Sequence, residues 1–195
     1  MRYRTALLTF FAFICLGLAG YFVNRNGLYP VAMVNYFNFV PAHTLELDYH
    51  SALTYFRNAL ATYGSDPALL SDRDTQQEIR RAALEKIIVD ALVYQEAKRR
   101  FGGDLENITE DVITQNVDVE KIKEAAETLY GMSFENFTDR LLKAQARKEI
   151  LEGRMFAEKQ DFNAWLKDTK QQAKIIILMP GFGWNGDSVT LTSQN

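Results

Sequence analysis

The sequence predicts a mainly helical domain closed by a small terminal β-sheet, with a transmembrane helix ahead of it. Three features predict it: a long amphipathic helix from Asp74 to Phe101, further helices that each carry their own cap and stop, and short apolar β-branched runs near both ends. In the long helix Ile79, Ala83, Ile87 and Ala91 recur every four residues. Leu84, Ile88 and Leu92 form a second row beside them, which makes a wide apolar stripe of helical period. Asp72, Asp74 and Glu78 stand near its amino end and Lys98, Arg99 and Arg100 fill its last turn, so both ends complement the helix dipole. Gly102 supplies the left-handed stop. A stripe this broad needs partners on two sides, and the rest of the chain reads as what packs there.

In chain order, Arg2 and Arg4 precede Ala6–Val23, 18 residues without a charge. As a helix this run would span about 27 Å, enough to reach across a hydrocarbon core. The arginines favour keeping this end in the cytoplasm, so residues after Val23 are expected on the outer face. Two readings stay open: an uncleaved anchor over residues 1–23, or a secretory signal cleaved after the small residues Gly17-Leu18-Ala19. Cys15 is the single cysteine, so the chain can form no internal disulfide or cysteine metal site. Ile14 before it does not suit a lipoprotein modification site.

A polar linker, residues 24–30, leads to two short strands, Val31–Asn35 and Tyr36–Val40, ended by Pro41. Helical period returns from Ala42 to Tyr63 through Leu45, Tyr49, Leu53, Phe56 and Leu60, before Gly64 and Pro67. Ser71 and Asp74 are spaced as an approximate capping box for the long helix. Beyond Gly102-Gly103, Thr109 is placed to cap Glu110–Gln115, and Asp118 to cap Val119–Tyr130, which Gly131 stops. Ser133 opens a second long helix, with Met132 and Phe137 as a hydrophobic staple. That stripe runs to Trp165 and Leu166 with a break expected near Gly153. Ile175–Met179 reads as a strand that cannot stand alone, and its expected partner is the Val31–Val34 run. Residues 181–195 read as a C-terminal hairpin or tail around the turn Trp184-Asn185-Gly186-Asp187.

Composition narrows the function classes. With 47% hydrophobic and 24% charged residues the balance is that of a folded domain, and a net charge of -3 over 195 residues gives no reason to expect nucleic acid, whose binders usually carry a basic face. His43, Glu46 and His50 share one helical face, but their spacing is not that of the His-Glu-x-x-His metalloproteases, and a solvated face explains them. The glycine pairs read as helix stops and turns, and Glu110-Asp111 as dipole-matched acids, so no metal, cofactor or catalytic residue is expected. The Asn-x-Thr triplets at Asn107 and Asn136 read as chance matches and cap chemistry.

These residues carry a resemblance. The strand Val31-Ala32-Met33-Val34-Asn35, the aromatic-rich helix after it, the segment EKIIVDALVYQEAKRRFGG, the small capped helices and a closing helix running into AWLKDTKQQAKIIIL together resemble the amino-terminal chaperone domain of SurA-type and PpiD/PrsA-type periplasmic foldases, over residues 31–180. That family follows the strand asparagine with glycine, where this chain has Tyr36. The resemblance implies an ATP-independent holdase for unfolded exported polypeptides, facing the periplasm from the inner membrane. The parvulin prolyl isomerase module that the family often carries has no room here, because the helix after Gly131 runs directly into the closing strand. Isomerase activity is therefore not expected.

The aromatics beyond those needed to seal the core are expected to line a client groove, with Tyr55, Phe156, Phe162 and Trp165 as its residues. The partners expected are unfolded exported chains and the membrane through residues 6–23, with a homodimer left open. A second function stays open beside the holdase: an interaction or scaffold subunit that uses the same helical domain to dock one membrane partner.

Overall fold

Along the chain the structure, a computed structural model that describes residues 17–192 apart from 19, 37 and 117, runs β1 (Pro30–Val34), β2 (Asn38–Pro41), α1 (Ala42–Thr62), α2 (Arg73–Phe101), α3 (Leu105–Asn116), α4 (Val119–Tyr130), α5 (Phe134–Phe137), α6 (Lys143–Ala157), α7 (Phe162–Gln172), β3 (Ile175–Ile177), β4 (Phe182–Trp184) and β5 (Val189–Leu191). A π-helical turn, Thr138–Leu142, joins α5 to α6. The fold is mainly helical with small antiparallel sheets, as the periodicity predicts.

The helix α2 is its axis. Leu84, Ile88 and Leu92 face Leu45 and Tyr49 of α1 and the inner side of the sheet, Ala32, Val34 and Val40. Val93, on the other flank, packs with Leu151 and Met155 of α6 and Phe162 of α7. The stripe therefore finds its two partners, and each fully buried leucine or isoleucine contributes about 1.5–3 kcal/mol. The cap of α2 is Asp72, whose carboxylate accepts the Thr75 amide at 3.0 Å. The Ser71–Asp74 box is not used, because a 3-10 turn over Pro67–Ser71 absorbs Ser71 and leaves Asp72 with the extended backbone a cap requires. The carboxyl of Asp72 titrates below its usual value, chiefly through that Thr75 amide.

The larger sheet has the order β2-β1-β3, all antiparallel, with Ala32 opposite both Val40 and Ile177. The expected pairing of the terminal isoleucine strand with Val31–Val34 is thus formed. The turn between β1 and β2 is unusual. Asn35 and Tyr36 both sit at positive φ, 50° and 67°, a conformation that is costly for a side chain such as tyrosine. Side-chain bonds hold it. Asn35 donates from Nδ2 to Gln95 Oε1 at 2.8 Å and accepts the Lys174 amide at 3.1 Å, and the Lys174 ammonium lies 4.9 Å from the Tyr36 ring centre.

Several boundaries depart from expectation. The helix α3 begins at Leu105 rather than Glu110, because Leu105 is fully buried, and Thr109 is an interior residue whose hydroxyl donates to the Leu105 carbonyl at 2.7 Å. The helix α6 passes through Gly153 unbroken. The break falls at Glu158–Asp161, where Lys159 adopts φ 58° and Asp161 caps α7 by accepting the Ala164 amide at 2.6 Å. Asp118, Ser133 and Gly131 act as predicted. Residues 181–192 are not a free tail: Val189 is buried in the main core and its carbonyl accepts from Arg81 Nη1 at 3.1 Å.

At the amino end residues 17, 18 and 20–25 are helical and exposed. Among the described residues no helix is long and apolar enough to cross a membrane. The predicted span, residues 6–23, lies largely outside the described residues, as does Cys15. The expected linker is pinned to the domain: Gly27 and Tyr29 carbonyls accept the His43 and Ala42 amides, each at 2.9 Å. Gly27 is required there, since it sits at φ 61° and a Cβ would come within 3.0 Å of the His43 nitrogen.

Candidate functional site

The apolar stripe of α1 changes character halfway along. Leu45 and Tyr49 are sealed against α2 and the sheet, but after Ser51 the sheet no longer lies opposite, and Tyr55 and Phe56 are 42% and 43% exposed. Two cavities open there. One, of about 190 Å³, is walled by Tyr55, Phe56, Tyr130, Met132 and Leu141; the other, of about 320 Å³, lies between α1 and α2 against Ile79, Ala82 and Ala83. They share Asp48, Ala52, Phe56 and Lys86, so they form one cleft with Phe56 standing between its halves.

The aromatic wall is built by stacking. Tyr55 lies parallel to Tyr130, 5.2 Å between ring centres, and Tyr130 rests against Phe137 at 5.1 Å. Burial raises the Tyr130 hydroxyl above its ordinary pKa. Met132, Phe137 and Ala126 beneath it form a separate small core that holds α4 and α5 against Leu47 of α1.

The charges at the floor are paired. Asp48, which is buried, accepts from Arg140 Nε at 2.9 Å and Nη2 at 2.8 Å, a fork-on-carboxylate geometry. Burial is the largest single influence and would lower the Arg140 pKa, but its hydrogen bonds to Asp48 together with the negative charges of Asp48, Asp90 and Asp139 outweigh it, and the guanidinium is held charged. Arg140 and Leu141 both belong to the π-helical turn, a feature that recurs at functional sites. Lys86 donates to Asp90 at 2.6 Å and to the Arg140 carbonyl at 3.3 Å. With its ionic groups engaged at the floor, the cleft presents apolar and aromatic surface, which suits it to apolar side chains through area-proportional burial.

The four residues expected to share a groove are not brought together. Tyr55 lines the cleft. Phe162 is 9% exposed and belongs to the α2–α6–α7 core, with Trp165 against it at 5.4 Å. Phe156 is 85% exposed on α6, in neither place. The reversal at Lys159–Asp161 causes this, because it folds α7 back onto α2 and α6 and carries Phe162 and Trp165 away from α1. Phe56, Tyr130, Met132 and Leu141 are the wall residues that sequence reasoning missed. Phe56 sits in a stripe read as core, and Tyr130 precedes a helix stop.

His43, Glu46 and His50 do not converge. Glu46 accepts from Arg80 at 3.2 Å and lies 3.6 Å from His50 Nε2, whereas the His43 ring is 3.4 Å from the Thr44 hydroxyl. Among the described residues no group of three metal-binding side chains forms.

No protein-family model, curated protein or solved structure matches the chain.

Proposed function

We propose that this protein is a membrane-tethered, ATP-independent holdase that receives apolar segments of unfolded exported polypeptides in the cleft between α1, α2 and α4. The observation that carries the reading is the cleft itself: open, aromatic-walled, and neutralised at its floor by Asp48–Arg140 and Lys86–Asp90. Stacked tyrosines and a methionine offer contact area that accepts many side-chain shapes. The resemblance to SurA-type and PpiD/PrsA-type chaperone domains supports the same reading, and the uncharged run before residue 24 supports tethering with the domain on the periplasmic side. No catalytic step is assigned to it.

The test is aggregation suppression. Full-length protein in nanodiscs is mixed at rising ratio with two unrelated denatured proteins, without nucleotide, and followed by light scattering. Suppression of both clients, weakened by Tyr55→Ser with Phe56→Ser, is the expected result. If a folded sample protects neither client, the holdase reading fails and docking of one dedicated partner replaces it.

A further inference from the structure

The three-stranded sheet has one sealed face and one bare one. Ala32, Val34 and Val40 close the inner face. On the outer face the register places Met33 between Phe39 and Ile176, a cross-strand apolar row in which Phe39 is 59% and Ile176 46% exposed. Leu178, two residues on from Ile176, is exposed as well. No residue of β1, β2 or β3 is charged, and exposed tyrosines flank the row: Tyr29 just before β1, and Tyr36 at the turn. Charge is what usually protects a small sheet from unwanted association, so its absence over all three strands calls for a covering surface.

The neighbouring chain indicates which surface. The residues leading into β1 are the exposed helical end of the uncharged run, with Tyr21 and Phe22 outward, and the segment after it is hydrogen-bonded to the start of α1. Whatever holds residues 6–23 is therefore held within a few residues of this sheet face. Its edge chemistry is that of a bilayer interface: aromatic rings, aliphatic side chains between them, and the cation Lys174 at the margin over the Tyr36 ring.

We propose that the outer face of the β2-β1-β3 sheet seats in the interfacial layer of the lipid bilayer, as a second membrane contact beside the anchor. The proposal rests on the anchor reading of residues 6–23. The cleft lies toward the end of α1 remote from the strands, with Phe56 about 21 Å along the helix from Ala42.

The experiment uses the full chain reconstituted into phosphatidylcholine–phosphatidylglycerol vesicles, with and without bromine on the shallow acyl carbons. Tryptophan is introduced by Phe39→Trp or, independently, Ile176→Trp, and quenching is read as the increment over the wild-type protein; Phe156→Trp, on α6, is the control. Flotation of the vesicles reports the anchor separately. Flotation with bromine-dependent loss of emission at positions 39 and 176, and none at 156, is expected. Flotation without such loss at either sheet position overturns the sheet contact while keeping the anchor, and a blue shift without quenching would identify a second copy as the cover. Protein that fails to float removes the anchor and the sheet proposal together.

Discussion

The two halves of α1 carry one continuous apolar stripe and end in opposite states. Leu45 and Tyr49 are closed over by α2 and the sheet, whereas Phe56, about two turns beyond Tyr49 in the same stripe, stands at the mouth of an open cleft. Nothing in the spacing changes between them. What changes is the surface opposite: three strands behind the first half, and behind the second the short helix α4 with the loop that follows it. The closed half uses aliphatic partners such as Leu84 and Ile88, whereas the open half adds rings and a methionine on its α4 side to the Ile79, Ala82 and Ala83 surface of α2. Periodicity therefore reports which face of a helix is apolar, and topology decides whether that face becomes core or binding surface.

Three sets of substitutions break or sharpen this contrast. The largest effect is expected at the boundary. Asp48→Ala leaves the Arg140 guanidinium without its buried partner and should cost about 3–5 kcal/mol, toward the lower end because Arg140 keeps some contact with water. Denaturant unfolding measures it, and the double change Asp48→Met with Arg140→Leu should recover most of the loss. A single-site cost below about 1 kcal/mol would mean that the pair does not hold the π-helical turn to α1. Next comes a matched pair of truncations. Leu84→Ala, in the closed half, should cost about 2–5 kcal/mol and leave client protection intact in whatever remains folded. Phe56→Ala, in the open half, should cost under about 1 kcal/mol and lower client protection clearly. Equal destabilisation by both would erase the distinction between the halves.

The helical frame was legible because its signals are local. The stripe of α2, the Asp118 and Ser133 caps and the Gly131 stop each depend on residues within a turn or two, and the pairing of Ile175–Ile177 with β1 follows from the shortage of other strands. The site was legible only at Tyr55. Placing Phe162 and Trp165 depended on a reversal at Lys159, a non-glycine residue at positive φ with no sequence signature. Arg140 reaches Asp48 across 92 residues of sequence from a π-helical turn that no periodicity announces. Thr109 looked like a cap because capping chemistry is read from residue type, and burial of Leu105 overrode it.

The last set concerns two left-handed positions, one at each end of the comparison. Gly131 ends α4 at φ 63°, and a Cβ there would lie 3.4 Å from the Thr54 side chain of α1. Gly131→Ala should therefore cost about 1–2 kcal/mol in backbone strain alone, and it should shift the Tyr130 wall and weaken client protection. Tyr36→Gly, at the closed end, removes a strain of the same size. It also gives up about 0.5–1 kcal/mol through the freer unfolded chain and about 0.5 kcal/mol of the Lys174 contact, so thermal unfolding should move little in either direction. Asn35→Gly should instead destabilise, because it deletes the bonds to Gln95 and Lys174 that hold the turn closed. If Tyr36→Gly proved as damaging as Asn35→Gly, the tyrosine ring rather than the asparagine amide would be what fixes the turn, and its exposure on the bare side of the sheet would need a packing partner to explain it.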